Sequence, residues 1–331
     1  MTSYRRIILA SRPTGAASTS NFRMEEVQTP TLQPGQMLVR NEWLSLDPYM
    51  RGRMNEGRSY AKPQVLGEVM QGGTAGTVAE SRNPQFKVGD RVVGYLGWQE
   101  YGVSDGSGIY KVDTRVVPLS AYLGPVGMPG VTAWYGLNRI IQPKASETVL
   151  VSAASGAVGS VVGQLAKLAG CRTVGIAGGK EKCSYVVVEL GFDACIDYKS
   201  QDVNRALKDA APQGVDGYFE NVGGEIMNAV LPRMSVFGRI ALCGLIAGYD
   251  GQPIPLTNPS WFLISRLKLE GFIVSEHMDV WPQALKELGL QVATGGIKYR
   301  ETIANGLENA PQAFLGMLRG ANFGKQLVKL A

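Results

Sequence analysis

Hydrophobic positions change their period partway along the chain. Over roughly the first 120 residues apolar runs are short and broken by clusters of Gly, Pro and Asp, as around Met37-Leu38-Val39-Arg40 and Arg91-Val92-Val93-Gly94-Tyr95. Short runs bounded by turn residues predict strands, so this region reads as an irregular, mostly antiparallel β domain. Past Pro143 the pattern becomes β-branched strands alternating with helical periods: ETVLVSA, a helix, CRTVGIAG, another helix. Such alternation predicts a parallel sheet covered on both faces. Further strands are expected at Ala194 to Asp197, Gly217 to Asn221, Gly238 to Cys243 and Leu267 to Val274, completing a six-stranded doubly wound α/β sheet.

From about Gly295 the pattern is irregular again and closes on the strand-like KQLVKL. The tail reads as returning to the first domain. The expected division is therefore residues 1–125 plus 296–331 as one domain and 126–295 as the other. No repeat or low-complexity segment is visible.

Composition narrows the function classes. At 331 residues, 45% hydrophobic and 18% charged, the chain is globular and long enough for two cores. The net charge of +5 is scattered, which argues against a nucleic-acid surface. No apolar run reaches the roughly 18 residues of a membrane span, and MTSYRRIILASRPTG turns polar too soon for a signal peptide, so a cytoplasmic location is expected. Cys171, Cys183, Cys195 and Cys243 form no CxxC pair and read as small buried thiols. The single histidine, His277, excludes much chemistry, since a His-bearing catalytic zinc site usually takes three protein ligands and a Ser-His-Asp relay needs its histidine beside both other members; it reads as a surface or pocket residue.

Candidate chemistry begins where strand Thr148 to Ser152 runs into Ala153-Ala154-Ser155-Gly156-Ala157-Val158-Gly159, which opens a helix with apolar spacing Val158, Val161, Val162, Leu165, Leu168. Strand, tight turn and helix are the context of a dinucleotide fingerprint. Gly156 would admit a pyrophosphate to backbone N–H groups at the positive helix end, and Gly159 would let helix and strand pack closely. Ala153 replaces the first glycine of the motif. Some 20 residues on, where an NAD site places a carboxylate, stand Ala177-Gly178-Gly179-Lys180-Glu181-Lys182. Lys180 or Lys182 would neutralise a 2′-phosphate, so NADPH is expected rather than NADH.

LDPYMRGRM at 46–54, MPGVTAWYGL at 128–137, AASGAVGSVVGQLAKLAGC at 153–171, ENVGG at 220–224, GRIALCGLIAGY at 238–249 and GANFGKQLVK at 320–329 span nearly the whole chain. Together they resemble the leukotriene B4 12-hydroxydehydrogenase / prostaglandin reductase branch of the medium-chain dehydrogenases/reductases, which includes bacterial curcumin reductases and plant alkenal reductases. The resemblance implies a Rossmann domain with a GroES-like substrate-side domain, and a homodimer formed through the nucleotide domain. It also implies cofactor contacts at Gly156, Ala157, Val158 and Gly159, at Lys182 and Tyr198 near the 2′-phosphate, at Asn221, and along Cys243, Gly244, Leu245, Ile246, Ala247, Gly248 and Tyr249. Phe272, Ile273, Val274 and Asn322 complete that set. After Val274 the chain departs from mammalian members, with Ser275-Glu276-His277 where they tend to place a tyrosine, so the substrate end of the pocket does not carry over.

Without a metal, an alkoxide is hard to stabilise, whereas hydride addition to the β-carbon of a conjugated enone spreads charge onto an enolate that one or two hydrogen-bond donors can hold. The expected reaction is NADPH-dependent reduction of the C=C bond of α,β-unsaturated carbonyls, small-molecule substrates, with Tyr49, Tyr60 and Tyr249 as candidate donors. Arg51 and Arg53 read as solvated rather than as a clamp for an acidic tail. The alternatives are a quinone oxidoreductase of the same fold and a nucleotide-binding protein without turnover.

Overall fold

A computed structural model describes residues 3–330, and the chain divides into two compact units. One takes in the described residues up to Leu123 and from Glu301 onward; the other is Gly124–Arg300.

The first unit is β-rich. Strands β1 (Ser3–Leu9) and β2 (Phe22–Gln28) pair antiparallel as a two-stranded sheet. β3 (Met37–Ser45), β4 (Thr74–Ser81), β5 (Arg91–Gly94), β6 (Tyr101–Ser104) and β7 (Tyr110–Lys111) belong to a larger sheet with β3 near its centre. Between β3 and β4 lies the short helix α1 (Tyr49–Arg53). Its Met50, and Met54 just beyond it, are buried in a core with Leu44, Leu46 and Trp98. The Trp98 ring stacks on Phe22 at 5.4 Å and meets Phe314 edge-on at 5.6 Å. Each buried methionine contributes about 1.5–3 kcal/mol, so the two together pin the Asp47 to Tyr49 turn to the core.

The second unit is a six-stranded parallel sheet: β8 (Thr148–Ser152), β9 (Arg172–Ala177), β10 (Ala194–Asp197), β11 (Val215–Glu220), β12 (Met234–Leu242) and β13 (Lys268–Gly271). The order β10-β9-β8-β11-β12-β13 reverses between β8 and β11, the doubly wound arrangement whose ligand crevice lies at the carboxyl ends of the strands. All five residues of β8 are buried, as a central strand covered on both faces requires. Helix α2 (Met128–Tyr135) precedes the sheet, α3 (Gly159–Leu168) follows β8, and α4 (Lys180–Ser184) follows β9. α3 buries Val161, Val162, Gly163 and Ala166, and a side chain at Gly163 would collide with the Phe192 ring. Leu168, placed by its spacing on the apolar stripe, is exposed because the helix ends there and the chain turns at Gly170 with φ 79°.

The last strand is shorter than its apolar run suggests. β13 pairs with β12 only up to Leu242 opposite Gly271, so Phe272 and Val274 leave the sheet and are buried. Phe272 packs on Tyr135 at 5.3 Å and on Phe219 at 6.2 Å.

The chain then returns to the first unit. β14 (Glu301–Asn305) pairs parallel with β15 (Lys325–Lys329), and β15 pairs antiparallel with β3. Among the described residues no helix is long and apolar enough to cross a membrane.

Candidate cofactor and active site

In the nucleotide-type unit the glycine turn closes β8. Ala153, where the fingerprint has its first glycine, takes a left-handed φ of 49°, and its carbonyl accepts the Gly156 N–H at 2.9 Å. A Cβ at Gly159 would stand 2.5 Å from that same carbonyl oxygen, and one at Gly156 would stand 3.2 Å from it. Glycine is thus demanded at 159 by close approach of helix to turn. The residues between, Ala157 and Val158, lead into the first turn of α3, whose dipole favours an anion.

At the end of β9 the structure gathers a basic corner. A Cβ at Gly178 would meet the Tyr198 ring at 2.8 Å and the Lys199 side chain at 3.0 Å, so both residues lie over the strand end. Burial first, and then the neighbouring Lys199 charge, hold the Lys182 ammonium below its usual range. Two cations that repel each other beside a phenol suit a phosphate dianion, which would relieve the repulsion. The carboxylate of Asp197 at this corner accepts the N–H groups of Gly179 and Lys199, at 2.7 and 3.0 Å. Lys199 was not legible as a site residue: it stands 17 positions beyond Lys182 and reaches it only through the parallel pairing of β9 with β10. Lys180, the other lysine considered, is exposed at the start of α4.

A ledge is built where β11 and β12 end. Asn221 donates its backbone N–H to Ser152 Oγ and its side-chain amide to the Ser152 carbonyl, both at 2.8 Å. Cys243 and Gly244 donate their N–H groups to the Glu220 carbonyl at 2.9 and 3.2 Å. Leu245 packs close to Gly223, and Ile246–Gly248 form a single 3-10 turn, Ile246 and Ala247 being tied to the carbonyls of Asn221 and Val222. A Cβ at Gly244 would stand 3.3 Å from the Asn221 carbonyl oxygen and 3.4 Å from the Tyr249 hydroxyl, which places that hydroxyl on the ledge. Because Phe272 and Val274 are buried, Ile273 is the half-buried member of that trio. His277 is half-buried too, its ring stacked on Tyr135 at 4.2 Å.

The remaining candidates lie in the first unit. The Tyr49 hydroxyl is buried, with Arg53 over its ring at 4.8 Å. Burial first, then Tyr95 and the Asp47 charge, push its hydroxyl well above the usual phenol range, so it stays protonated and able to donate at neutral pH. Tyr60 is 55% exposed and bears on Tyr95. Tyr95 therefore links two of the chosen tyrosines and was missed, because in the sequence it reads only as the end of an apolar strand run and its exposure past β5 shows only in the structure. Asn322 turns its side-chain amide onto the Gly324 carbonyl at 2.9 Å. Arg51 corrects the solvated reading: it is 1% exposed and donates to the carbonyl of Gly15 and to Asn55, bracing the loop around α1.

Of the four cysteines only Cys171 is buried as a residue; Cys183, Cys195 and Cys243 are partly exposed, which revises the buried-thiol reading. Among the described residues no group of three or more His, Cys, Asp or Glu is arranged to hold a metal ion.

Comparison with known proteins gives two family matches, "N-terminal domain of oxidoreductase" over residues 5–112 and "Zinc-binding dehydrogenase" over residues 157–289. The chain is 46% identical to the NADPH-dependent curcumin reductase of Escherichia coli, covering 99% of this chain and 97% of that protein. It is 45% identical to prostaglandin reductase 1 of Rattus norvegicus, with 95% of each chain covered. The crystal structure of CurA from Vibrio vulnificus in complex with NADPH is similar at a TM-score of 0.94 and 45% identity, covering 99% of both chains.

Proposed function

We infer the activity from one premise: the chain belongs to the medium-chain dehydrogenase/reductase superfamily, in the branch of the leukotriene B4 12-hydroxydehydrogenases and prostaglandin reductases. It is an NADPH-dependent reductase of the C=C bond of α,β-unsaturated aldehydes and ketones. The C=C reduction rests on the relatives, and the observation in this chain that carries the cofactor is the pairing of Lys182 with Lys199 beside Tyr198, a corner suited to the 2′-phosphate. NADPH supplies a hydride when bound. The chain's own residues have other work: the Gly156 to Gly159 turn admits the pyrophosphate, the Asn221 to Tyr249 ledge seats the rest of the cofactor, and Tyr49, Tyr60 and Tyr249 offer hydroxyls to an enolate oxygen or protonate the α-carbon.

The test is NADPH oxidation over a panel of alkenals, alkenones, diarylheptanoid dienones and quinones. Product analysis is expected to show a saturated C=C bond beside an intact carbonyl; turnover of quinones alone would reject the reading. Changing Tyr49, Tyr60 and Tyr249 to Phe is expected to lower enone kcat/KM, by roughly 10²–10⁴-fold at the proton donor. No loss at any of the three would reject them as donors.

We further propose a homodimer in the cytoplasm. The four cysteines are free thiols, as a reducing compartment favours. β13 is the sheet's edge strand, and Phe237, Leu263 and Ile264 beside it are more than half exposed. Phe237 donates its N–H to the Ser265 carbonyl, next in sequence to Leu263 and Ile264, and exposed apolar side chains of this kind mark surfaces that a second copy covers. Light scattering is expected to give twice the chain mass, and Leu263→Glu to halve it; a monomeric wild type at micromolar concentration would reject the proposal.

A further inference from the structure

Beneath the ledge lies a buried acid that the proposed chemistry does not use. Glu220, the last residue of β11, is 0% exposed. Its Oε1 accepts from the Ser152 hydroxyl at 2.7 Å and from the Val222 N–H at 2.5 Å, and its Oε2 accepts from the Tyr218 hydroxyl. The Ser152 oxygen also accepts the Asn221 N–H, and of the two acceptors its hydroxyl faces, Glu220 at 2.7 Å is nearer than the Phe219 carbonyl at 3.4 Å. All three groups are neutral donors. This contrasts with the buried Asp47, which has Lys325 at 2.6 Å.

Glu220 ends a central strand, and it is at the carboxyl ends of these strands that this fold seats its dinucleotide. Glu220 is joined to the ledge through its own backbone, since its carbonyl holds the N–H groups of Cys243 and Gly244 and the next residue is Asn221. The Cys243 thiol on this ledge is pushed up to about 12, by burial first and then by Glu220.

We propose that Glu220 is a positioning residue that keeps one fixed negative charge under the cofactor ledge, and that this charge favours the oxidised over the reduced nicotinamide. The proposal rests on the cofactor assignment above. NADP⁺ carries one positive charge on its ring that NADPH lacks, so an ionised carboxylate under the ledge that would seat the cofactor would stabilise the oxidised form. The bias drives hydride toward the substrate.

Glu220→Gln separates charge from geometry. The amide oxygen keeps Ser152 and Val222, and the amide nitrogen can donate to a Tyr218 hydroxyl turned to accept. Dissociation constants for NADPH and NADP⁺ are measured by titration calorimetry with no substrate present. The ratio Kd(NADP⁺)/Kd(NADPH) is expected to rise on the order of tenfold, what one unit charge supplies across about 10 Å at an effective dielectric of about 20. Glu220→Asp, which keeps the charge, is expected to stay nearer the wild-type ratio. Where Glu220→Gln does not fold, Tyr218→Phe serves: it removes a donor that holds the carboxylate ionised, so the ratio is expected to rise as the pH is lowered from about 8 to about 5. An unchanged ratio in Glu220→Gln, equal weakening of both forms, or a pH-independent ratio in Tyr218→Phe overturns the proposal. A wild type that binds neither form overturns the cofactor assignment, and the proposal with it.

Discussion

Lys325→Met removes one half of a buried ion pair. Lys325 is 3% exposed, and its ammonium donates to the Leu46 carbonyl at 2.8 Å and to Asp47 Oδ1 at 2.6 Å. The other Asp47 oxygen accepts from the Ser45 hydroxyl. Methionine fills most of the volume but leaves the carboxylate without its cation and the Leu46 carbonyl without that donor. Removing one partner of a buried pair costs about 3–5 kcal/mol, because the remaining charge stays desolvated. At roughly 2–4 °C per kcal/mol for a unit of this size, the unfolding midpoint is expected to fall by about 10 °C. Asp47→Leu with Lys325→Met removes both charges and is expected to recover most of the loss, since an apolar pair of similar volume is often neutral or better. Asp47 also leads into the turn that carries Tyr49, its carbonyl accepting the Met50 N–H at 3.1 Å, so the single variant is expected to lower enone kcat as well. Thermal unfolding followed by circular dichroism reads the stability of all three variants. A single variant within about 1 kcal/mol of wild type, or a double variant less stable than either single one, would refute the argument, because coupled neighbours must show non-additivity.

Three further outcomes are expected. Gly159→Ala forces a methyl group to 2.5 Å from the Ala153 carbonyl, so NADPH affinity measured by fluorescence titration is expected to drop at least tenfold; unaltered affinity would mean that the helix start can shift freely. Lys182→Ala is expected to reduce kcat/KM for NADPH more than for NADH, as the 2′-phosphate loses one of two cations, and an equal loss with both cofactors would count against that assignment. Glu147 accepts from the Arg239 guanidinium and the Lys144 N–H at 2.5 and 2.9 Å; burial pulls its carboxyl up, but these bonds outweigh it and hold it below the usual range. A depressed folded-state value contributes stability above the unfolded value of about 4.3 that disappears as pH falls through the lower folded one. Wild type is therefore expected to be more stable than Glu147→Gln at pH 7, with the difference closing in acid denaturation below about pH 4.

Whatever depends on neighbours in sequence was legible in the chain. The six parallel strands follow from β-branched runs alternating with helical periods, because a strand covered on both faces must be apolar throughout and its crossover helix must turn one stripe inward. The glycine turn was legible for a similar reason: Gly156 and Gly159 act within a few residues of Ala153, whose carbonyl leaves no room for a side chain at 159.

What required tertiary structure is whatever depends on residues far apart in sequence. Lys199 joins Lys182 because β10 lies beside β9, and no local period encodes that pairing. Nothing in the sequence marks Glu220 or Asp47 as buried, yet each is, one among neutral donors and the other against Lys325, 278 positions away. Phe272 and Val274 extend an apolar run but leave the sheet where β12 stops offering a partner at Leu242. Hydrophobic spacing states which face a segment turns inward; which charge is stranded there, and what stands beside it, follows only once long-range packing has chosen the neighbours.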